Sequence, residues 1–307
     1  MSTYTVTDLK VRLDKFLAEQ LPGTSRGLIQ KDIESGLVLV NGKKILISHF
    51  AVRKDDKIEY SQSKKSSDEI KPTNTPLKVL YNNHGLLIID KPAGLVVHPG
   101  AGFKGETLAS ALLYHFKDIK LVGEEGRSGI VHRLDKDTSG VMLIARTQEM
   151  YEYLKDAFAE RKIKKEYVAL VQGKPEKPHG MIDTPIGKSK RDFRKYDTKN
   201  MVEAKPSLTE YQVIEGFDEW SLVVVKLHTG RTHQIRVHFS SLGHPLAGDQ
   251  LYGGKPVHIE GLHRQFLHAA RIEVRLPDGT WIEAESKLPD DLRAILETLH
   301  SKKVSNI

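Results

Sequence analysis

Asp135 is the residue of this chain best placed to do chemistry. It lies in Val131-His-Arg-Leu-Asp-Lys-Asp-Thr-Ser-Gly140, two residues after Arg133, and the apolar run Val141-Met-Leu-Ile-Ala145 follows at once. A carboxylate in a short polar loop backed by a buried strand is an arrangement that holds a reactive group still. A loop rich in Asp, Thr, Ser and Gly is also the composition of an ordinary turn, and Asp137 reads as a turn or capping carboxylate. The chain has no cysteine, which excludes thiolate nucleophiles, disulfides and Cys-based zinc sites. Its 14 histidines include no His-Glu-x-x-His pair, and His228, His233, His238 and His244 are irregularly spaced. No metal is expected, and His233 and His268 read as hydrogen-bonded structural groups.

Hydrophobic periodicity shows which elements must position such a loop. From residue 77 onward, strands are expected over residues 86–90, 141–145, 167–172, 208–214, 221–227, 272–276 and 281–284. Helices are expected over 107–116, 148–161, 232–242 and 289–300. The pairs 208–214 with 221–227, and 272–276 with 281–284, read as hairpins, the second turned by Pro277-Asp-Gly279. Adjacent hairpins imply antiparallel pairing, so the class is α+β, with a mixed, mainly antiparallel sheet flanked by helices.

Residues 9–60 read as a separate small module. Leu13, Phe16, Leu17 and Leu21 share one helical face, and Pro22-Gly23 ends that helix. Thr24 or Ser25 caps a second helix over 26–34 that turns Leu28, Ile29 and Ile33 inward, with Gly36 at its stop. A strand over 37–40, the Asn41-Gly42 turn and a strand over 58–60 follow. The two helices expose Arg12, Lys15, Arg26 and Lys31. Residues 61–76, rich in Ser, Lys, Thr and Pro, read as a flexible linker to a domain over 77–307.

The net charge of +7 is uneven: residues 155–205 carry 14 Lys and Arg against 8 Asp and Glu. Such a basic stripe suits a polyphosphate partner. Lys188-Ser-Lys-Arg-Asp-Phe-Arg-Lys-Tyr-Asp-Thr-Lys199 interleaves Lys188, Lys190, Arg191, Arg194 and Lys195 with Phe193 and Tyr196. That composition suits an RNA-facing loop, with cations on phosphates and rings on bases. The N-terminus lacks the basic and apolar regions of a signal peptide, and no apolar run approaches the roughly 18 residues of a membrane span. A cytoplasmic protein with no membrane partner is expected.

Two resemblances sharpen this reading. Residues 9–60, with helix, Ser-Arg, helix and a strand ending in Val40-Asn-Gly-Lys43, resemble the αL-like S4 RNA-binding domain. From residue 77 to about 287 the chain resembles the catalytic core of the RluA/RluD family of RNA pseudouridine synthases. The resemblance is carried by His132-Arg-Leu-Asp135 with Thr138-Ser-Gly140, Lys164-Lys-Glu-Tyr167, Arg231-Thr-His-Gln-Ile-Arg-Val-His238 and the Lys91–Gly100 segment.

The resemblance implies an isomerase that breaks the N-glycosidic bond of a uridine and rejoins the ribose to C5 of the same base, with no cofactor. It places the catalytic aspartate on Asp135 and its cationic partner on Arg236. Tyr167 becomes the tyrosine that stacks on the target base and helps remove the C5 proton. Arg133 becomes the residue that fills the helix stack once the base is flipped out. An S4 module in front is the arrangement of members acting on large-subunit ribosomal RNA. The expected partner is that RNA or the assembling ribosomal subunit, met by a monomer. A non-catalytic RNA-binding or ribosome-assembly protein is the rival class, and an RNA methyltransferase is disfavoured because no Gly-rich cofactor loop follows a strand.

Overall fold

A computed structural model describes residues 2–8, 10–22, 24, 26–61, 70–99, 103, 105–124, 127–253 and 259–305 of the chain. Gly23, Ser25, Gly100 and residues 62–69 of the expected linker lie outside these described residues. The chain forms two compact units, Met1–Glu69 and Ile70–Ile307. No helix among the described residues is long and apolar enough to cross a membrane.

The first unit runs β1 (Ser2–Thr5), β2 (Lys10–Arg12), α1 (Leu13–Gln20), α2 (Arg26–Glu34), β3 (Val38–Val40), β4 (Lys43–Lys44), β5 (Ala51–Arg53) and β6 (Lys57–Tyr60). An antiparallel sheet in the order β1-β6-β3-β4 backs the two helices, and β2 pairs separately with β5. The apolar spacing of α1 and α2 turns Leu13, Phe16, Leu17, Ile29 and Ile33 onto Val38, Ile58 and Tyr60, all buried. Asn41 and Gly42 both have positive φ (50° and 74°), which suits the turn joining β3 to β4. Strand β1 was not expected, because Ser-Thr-Tyr-Thr has no apolar alternation and one edge stays solvated.

The second unit contains β7 (Lys78–Asn83), β8 (Leu86–Lys91), α3 (Leu108–His115), a 3-10 turn (Lys117–Leu121), β9 (Ser139–Ala145), α4 (Gln148–Ala159) and β10 (Lys164–Gln172). The chain continues with β11 (His179–Asp183), β12 (Ile186–Ser189), β13 (Tyr196–Asp197), β14 (Met201–Lys205), β15 (Leu208–Gly216), β16 (Trp220–Leu227) and α5 (Gln234–Ser241). It ends with β17 (Leu267–Arg275), β18 (Trp281–Glu285) and α6 (Asp290–Ser305). Nine strands form one sheet in the order β11-β15-β16-β10-β17-β9-β8-β7, with β18 also on β17. All its pairs are antiparallel except β9 with β17. Both expected hairpins are present as β15–β16 and β17–β18.

Residues 70–76 do not behave as free linker. Thr73 donates its N–H to the Ser110 carbonyl at the start of α3, its hydroxyl meets the Ser110 hydroxyl at 2.8 Å, and Thr75 donates to Glu106. The Thr107 hydroxyl and Ser110 make a reciprocal cap at the same helix end. The expected basic loop is an ordered hairpin: β12, β13 and β14 form a small sheet of their own.

Strand β9 is buried along its whole length between β8 and β17. Each of its Leu and Ile side chains gains about 1.5–3 kcal/mol from burial. The β9–β17 junction positions the Asp135 loop. Tyr167 of β10 faces Ala269 of β17, which faces Gly140 of β9, so the three stand in one row across the sheet. Gly140 has φ 119°, and a Cβ there would lie 2.1 Å from the Ala269 carbonyl oxygen. Only glycine permits this approach, and the turn bearing Asp135 ends there.

Candidate active site

The Asp135 loop is tied down mostly through its backbone. Lys91, fully buried, donates its three ammonium protons to the carbonyls of Pro92, Leu95 and Lys136 at 2.7, 2.9 and 3.0 Å. Burial pulls the Lys91 pKa down to about 8, against the opposing pull of Asp137 and Asp135. Arg264 donates to the Asp137 carbonyl and Gln265 to the Thr138 hydroxyl. Upstream, His132 accepts the Leu143 N–H at Nε2, so its proton sits on Nδ1. Burial, reinforced by the charge of Lys165, lowers the His132 pKa to about 3, so the ring is neutral.

Asp135 and Arg236 are 101 residues apart in the chain, yet Arg236 Nη1 donates to Asp135 Oδ2 at 2.9 Å. The side chain of Arg236 is 8% exposed and that of Asp135 16%. Arg236 is in turn gripped by Asp249, whose side chain is fully buried: Nε donates to Oδ2 at 2.7 Å and Nη2 to Oδ1 at 2.9 Å. Asp249 Oδ1 also accepts the backbone N–H groups of Leu251 and Tyr252. Burial alone would lower the Arg236 pKa; the hydrogen bonds and charge of Asp249, then Asp135, raise it instead. The guanidinium is therefore a fixed cation with a fixed direction.

Helix α5 delivers Arg236, and its first turn explains much of Thr229–His238. Gln234, buried, accepts from Thr229 and from the Arg231 N–H, and donates to Leu208 and Thr209. His238 bonds Thr209 and the Thr184 carbonyl. These contacts lock α5 to β15. His233, at the helix N-cap, has a left-handed backbone (φ 58°) that a residue with a side chain adopts at a cost. It has a place in the site: Nε2 lies 3.8 Å from Asp135 Oδ1, and Nδ1 lies 2.8 Å from the Tyr252 hydroxyl. His268 bonds Ser139 and the Ser286 carbonyl and is structural, as expected. Burial keeps the His233 pKa low against the pull of Asp135.

The site opens on a cavity of about 400 Å³ whose wall includes Arg133, Asp135, Tyr167, His233, Ile235, Arg236 and Leu267. Tyr167 lies on β10 with 7% of its surface exposed. Burial, then the nearby Asp135 charge, raises its pKa above that of free tyrosine, so the phenol keeps its proton. Arg133 is exposed at the cavity wall. The structure therefore brings together Asp135, Tyr167, Arg236 and Arg133, and the loop carbonyls hold Asp135 in place. Among the described residues, no three His, Asp or Glu side chains form a metal-ligating group.

The remaining expected RNA contacts lie elsewhere. On the basic hairpin, Lys188, Lys190 and Arg191 are exposed, Lys195 is half-buried, and Arg194 is engaged by Asp192 through two hydrogen bonds. Phe193 at its tip is 92% exposed. In the first unit Lys15 and Lys31 are exposed, while Arg12 and Arg26 both donate to Asp14 and keep about half their surface in solvent. Sequence reasoning missed Asp249 and Tyr252. Their only signal is one acidic and one aromatic residue within the Gly-rich segment Ala247-Gly-Asp-Gln-Leu-Tyr-Gly253. A Cβ on Gly248 (φ 70°) would lie 2.2 Å from the Arg264 carbonyl oxygen, so this segment is packed tightly against its neighbour.

Comparison with known proteins identifies this fold as that of an RNA-modifying enzyme, a pseudouridine synthase. The RNA pseudouridylate synthase family model matches residues 85–241, and the S4 domain model matches residues 11–58. The chain belongs to the RNA pseudouridylate synthase family and carries an S4 domain ahead of the catalytic domain. It is 38% identical over 304 residues to an uncharacterized RNA pseudouridine synthase of Aquifex aeolicus, covering 94% of this chain and 93% of that one. It is 37% identical over 308 residues to the ribosomal large subunit pseudouridine synthase D of Haemophilus ducreyi, covering 95% and 91%. The solved structure of human RNA pseudouridylate synthase domain containing 1 superposes with a TM-score of 0.58 at 28% identity, over 73% of this chain and 89% of that one.

Proposed function

We propose that this enzyme isomerises uridine to pseudouridine in large-subunit ribosomal RNA, with Asp135 as the reactive carboxylate. The observation that carries the reading is the asymmetry of that carboxylate. Oδ2 is held by Arg236, while Oδ1 has no hydrogen-bond donor among the described residues. Arg236, fixed by Asp249, holds the carboxylate through Oδ2 and makes no hydrogen bond to Oδ1.

The reaction breaks N1–C1′ and forms C5–C1′; the C5 proton leaves and N1 gains one. Asp135 lines the cavity where the sugar or base of a flipped uridine would sit, with Oδ1 left to act on it. Tyr167, protonated by its surroundings, serves as a ring against the base rather than as a phenolate. Arg133, which lines the cavity and is exposed, fills the stack the base leaves in this reading, which offsets part of the few kcal/mol of unstacking. The ribosomal target is supported by the S4 domain and by relatives named for the large subunit. Exposed Lys15, Lys31, Lys188, Lys190 and Arg191 supply phosphate contacts.

Pseudouridine maps of ribosomal and transfer RNA from cells with and without the protein test this reading. One or a few large-subunit sites should vanish, return with the wild-type chain and stay absent with Asp135→Asn. Losses confined to transfer RNA would overturn the substrate, and restoration by Asp135→Asn would overturn the assignment of the carboxylate.

A further inference from the structure

The active cavity carries more positive charge than uridine isomerisation uses. Its wall bears five cations, Arg133, Arg161, Lys165, Arg231 and Arg236, against one carboxylate, Asp135. Arg236 is spent on Asp135 and Asp249, and Arg231 donates Nε to the Pro206 carbonyl. The uridine base is neutral, so the surplus has no partner in the base itself.

Lys165 is the most telling of these. Strand alternation places it on the same face of β10 as Tyr167, two residues away. Its ammonium lies 5.6 Å from the centroid of the Phe158 ring, and a Cβ built on Gly230 would stand 3.9 Å from Nζ. Glycine at 230 leaves that approach free of a side chain. Neighbouring cations are neutralised: Lys164 by Glu273, Lys226 by Glu166, Lys155 by Glu152. Lys165 has no carboxylate partner among the described residues, and burial pulls its pKa down to about 8 with no anion opposing the shift. A partly desolvated cation without a counter-charge is costly unless a ligand brings one.

Arg161 joins it at the end of α4. It has a left-handed backbone (φ 60°) just past the helix, where glycine is the unstrained choice. The chain keeps a guanidinium there, and it lines the same cavity. We propose that Lys165 and Arg161 form a phosphate subsite that grips a phosphodiester next to the flipped uridine. This rests on the reading of Asp135 as the reactive group, since it takes the cavity as the uridine site. An ammonium and a guanidinium beside the base pocket would fix the sugar-phosphate backbone while the glycosidic bond is exchanged, so their contribution falls on substrate positioning.

The test uses synthetic RNA stem-loops containing a uridine that the full-length enzyme converts, with native phosphates or a neutral methylphosphonate on its 5′ or 3′ side. Lys165→Gln should lower kcat/KM on native RNA by about 30-fold, the effect of one lost charge-assisted hydrogen bond. Lys165→Arg should stay within about fivefold, because the charge remains. On one of the two neutralised RNAs, wild type and Lys165→Gln should agree within about twofold. Three results would each overturn the subsite: wild-type rates for Lys165→Gln, equal losses for Gln and Arg, or an unchanged Gln deficit on both methylphosphonates. If Lys165→Gln does not fold, wild type alone decides, by losing about 30-fold on one neutralised RNA or on neither. Asp135→Asn in the same assay separates the parent reading: its turnover at the wild-type rate overturns both, whereas a dead Asp135→Asn with a normal Lys165→Gln overturns only the subsite.

Discussion

Each unit of this chain carries a carboxylate gripped by arginine, and the two are gripped differently. Asp14 in the first unit is fully buried and accepts from Arg12 Nε and Nη2, Arg26 Nε and Nη2, and Gln30 Nε2, all between 2.7 and 3.1 Å. Both its oxygens are taken. Asp135 in the second unit lines a cavity and accepts one guanidinium proton on one oxygen, while the other has no hydrogen-bond donor among the described residues. Two further guanidinium donors of Arg236, on Nε and Nη2, go to Asp249 instead. A saturated ion pair organises structure. One held from a single side still has lone pairs to offer a substrate.

The contrast can be broken most severely at Asp135. Asp135→Asn should reduce release of tritium from RNA labelled at uridine C5 by about 10⁴-fold or more. RNA affinity should stay within about tenfold, because phosphate contacts dominate binding. Next in size is Asp249→Ala, which leaves Arg236 free to turn. It should cost about 10²-fold in kcat and about 3 kcal/mol of stability by denaturant titration, as expected when a buried charge loses its partner. A normal rate in that variant would mean that the direction of Arg236 is irrelevant to turnover. Tyr167 gives a smaller, split effect. Tyr167→Phe should stay within about tenfold of wild type and Tyr167→Leu should lose about 10²-fold, since a stacked ring contributes about 1–3 kcal/mol. Equal losses would return the hydroxyl to the chemistry.

Asp14 should show the smallest effect, and in stability alone. Burial would raise its pKa, but hydrogen bonds from Arg12, Gln30 and Arg26 bring it down to about 2 from an ordinary 3.8. A folded-state pKa below the unfolded value means the stabilisation is complete above about pH 4 and is lost as pH falls toward 2. Because its arginine partners are half in solvent, about 1 kcal/mol is a fair size. Hydrogen exchange of the α1 and α2 amides should speed up across that window in wild type; Asp14→Asn should exchange faster than wild type above about pH 4 and converge with it toward pH 2, with kcat unmoved.

The sequence made the site partly legible for reasons that differ by residue. Asp135 and Arg236 each sit in a compact motif, so both were visible although their contact spans 101 residues. Asp249 was invisible because it lies in an irregular segment whose neighbours carry no periodicity, and its role exists only through Arg236. Strands β8, β9, β10, β15 and β16 announce themselves as apolar or alternating runs. Strands β11, β12 and β14 are short, with exposed polar positions, and leave no such trace. The parallel β9–β17 pair could not be read locally, since it joins segments with no connecting turn to betray them. The basic segment was read as a loop because its cations outweigh a faint strand pattern, yet Ser189 and Lys195 close it with a backbone hydrogen bond.

Lys91 has one more consequence. By binding the carbonyls of Pro92, Leu95 and Lys136, a single ammonium cross-links two loops that lie 45 residues apart. A chain without cysteine thus gains a staple that no reductant can open and that re-forms whenever the chain refolds. Its three bonds are made by an ammonium that burial disfavours, so three carbonyl dipoles, and no covalent link, offset the cost of keeping that charge inside.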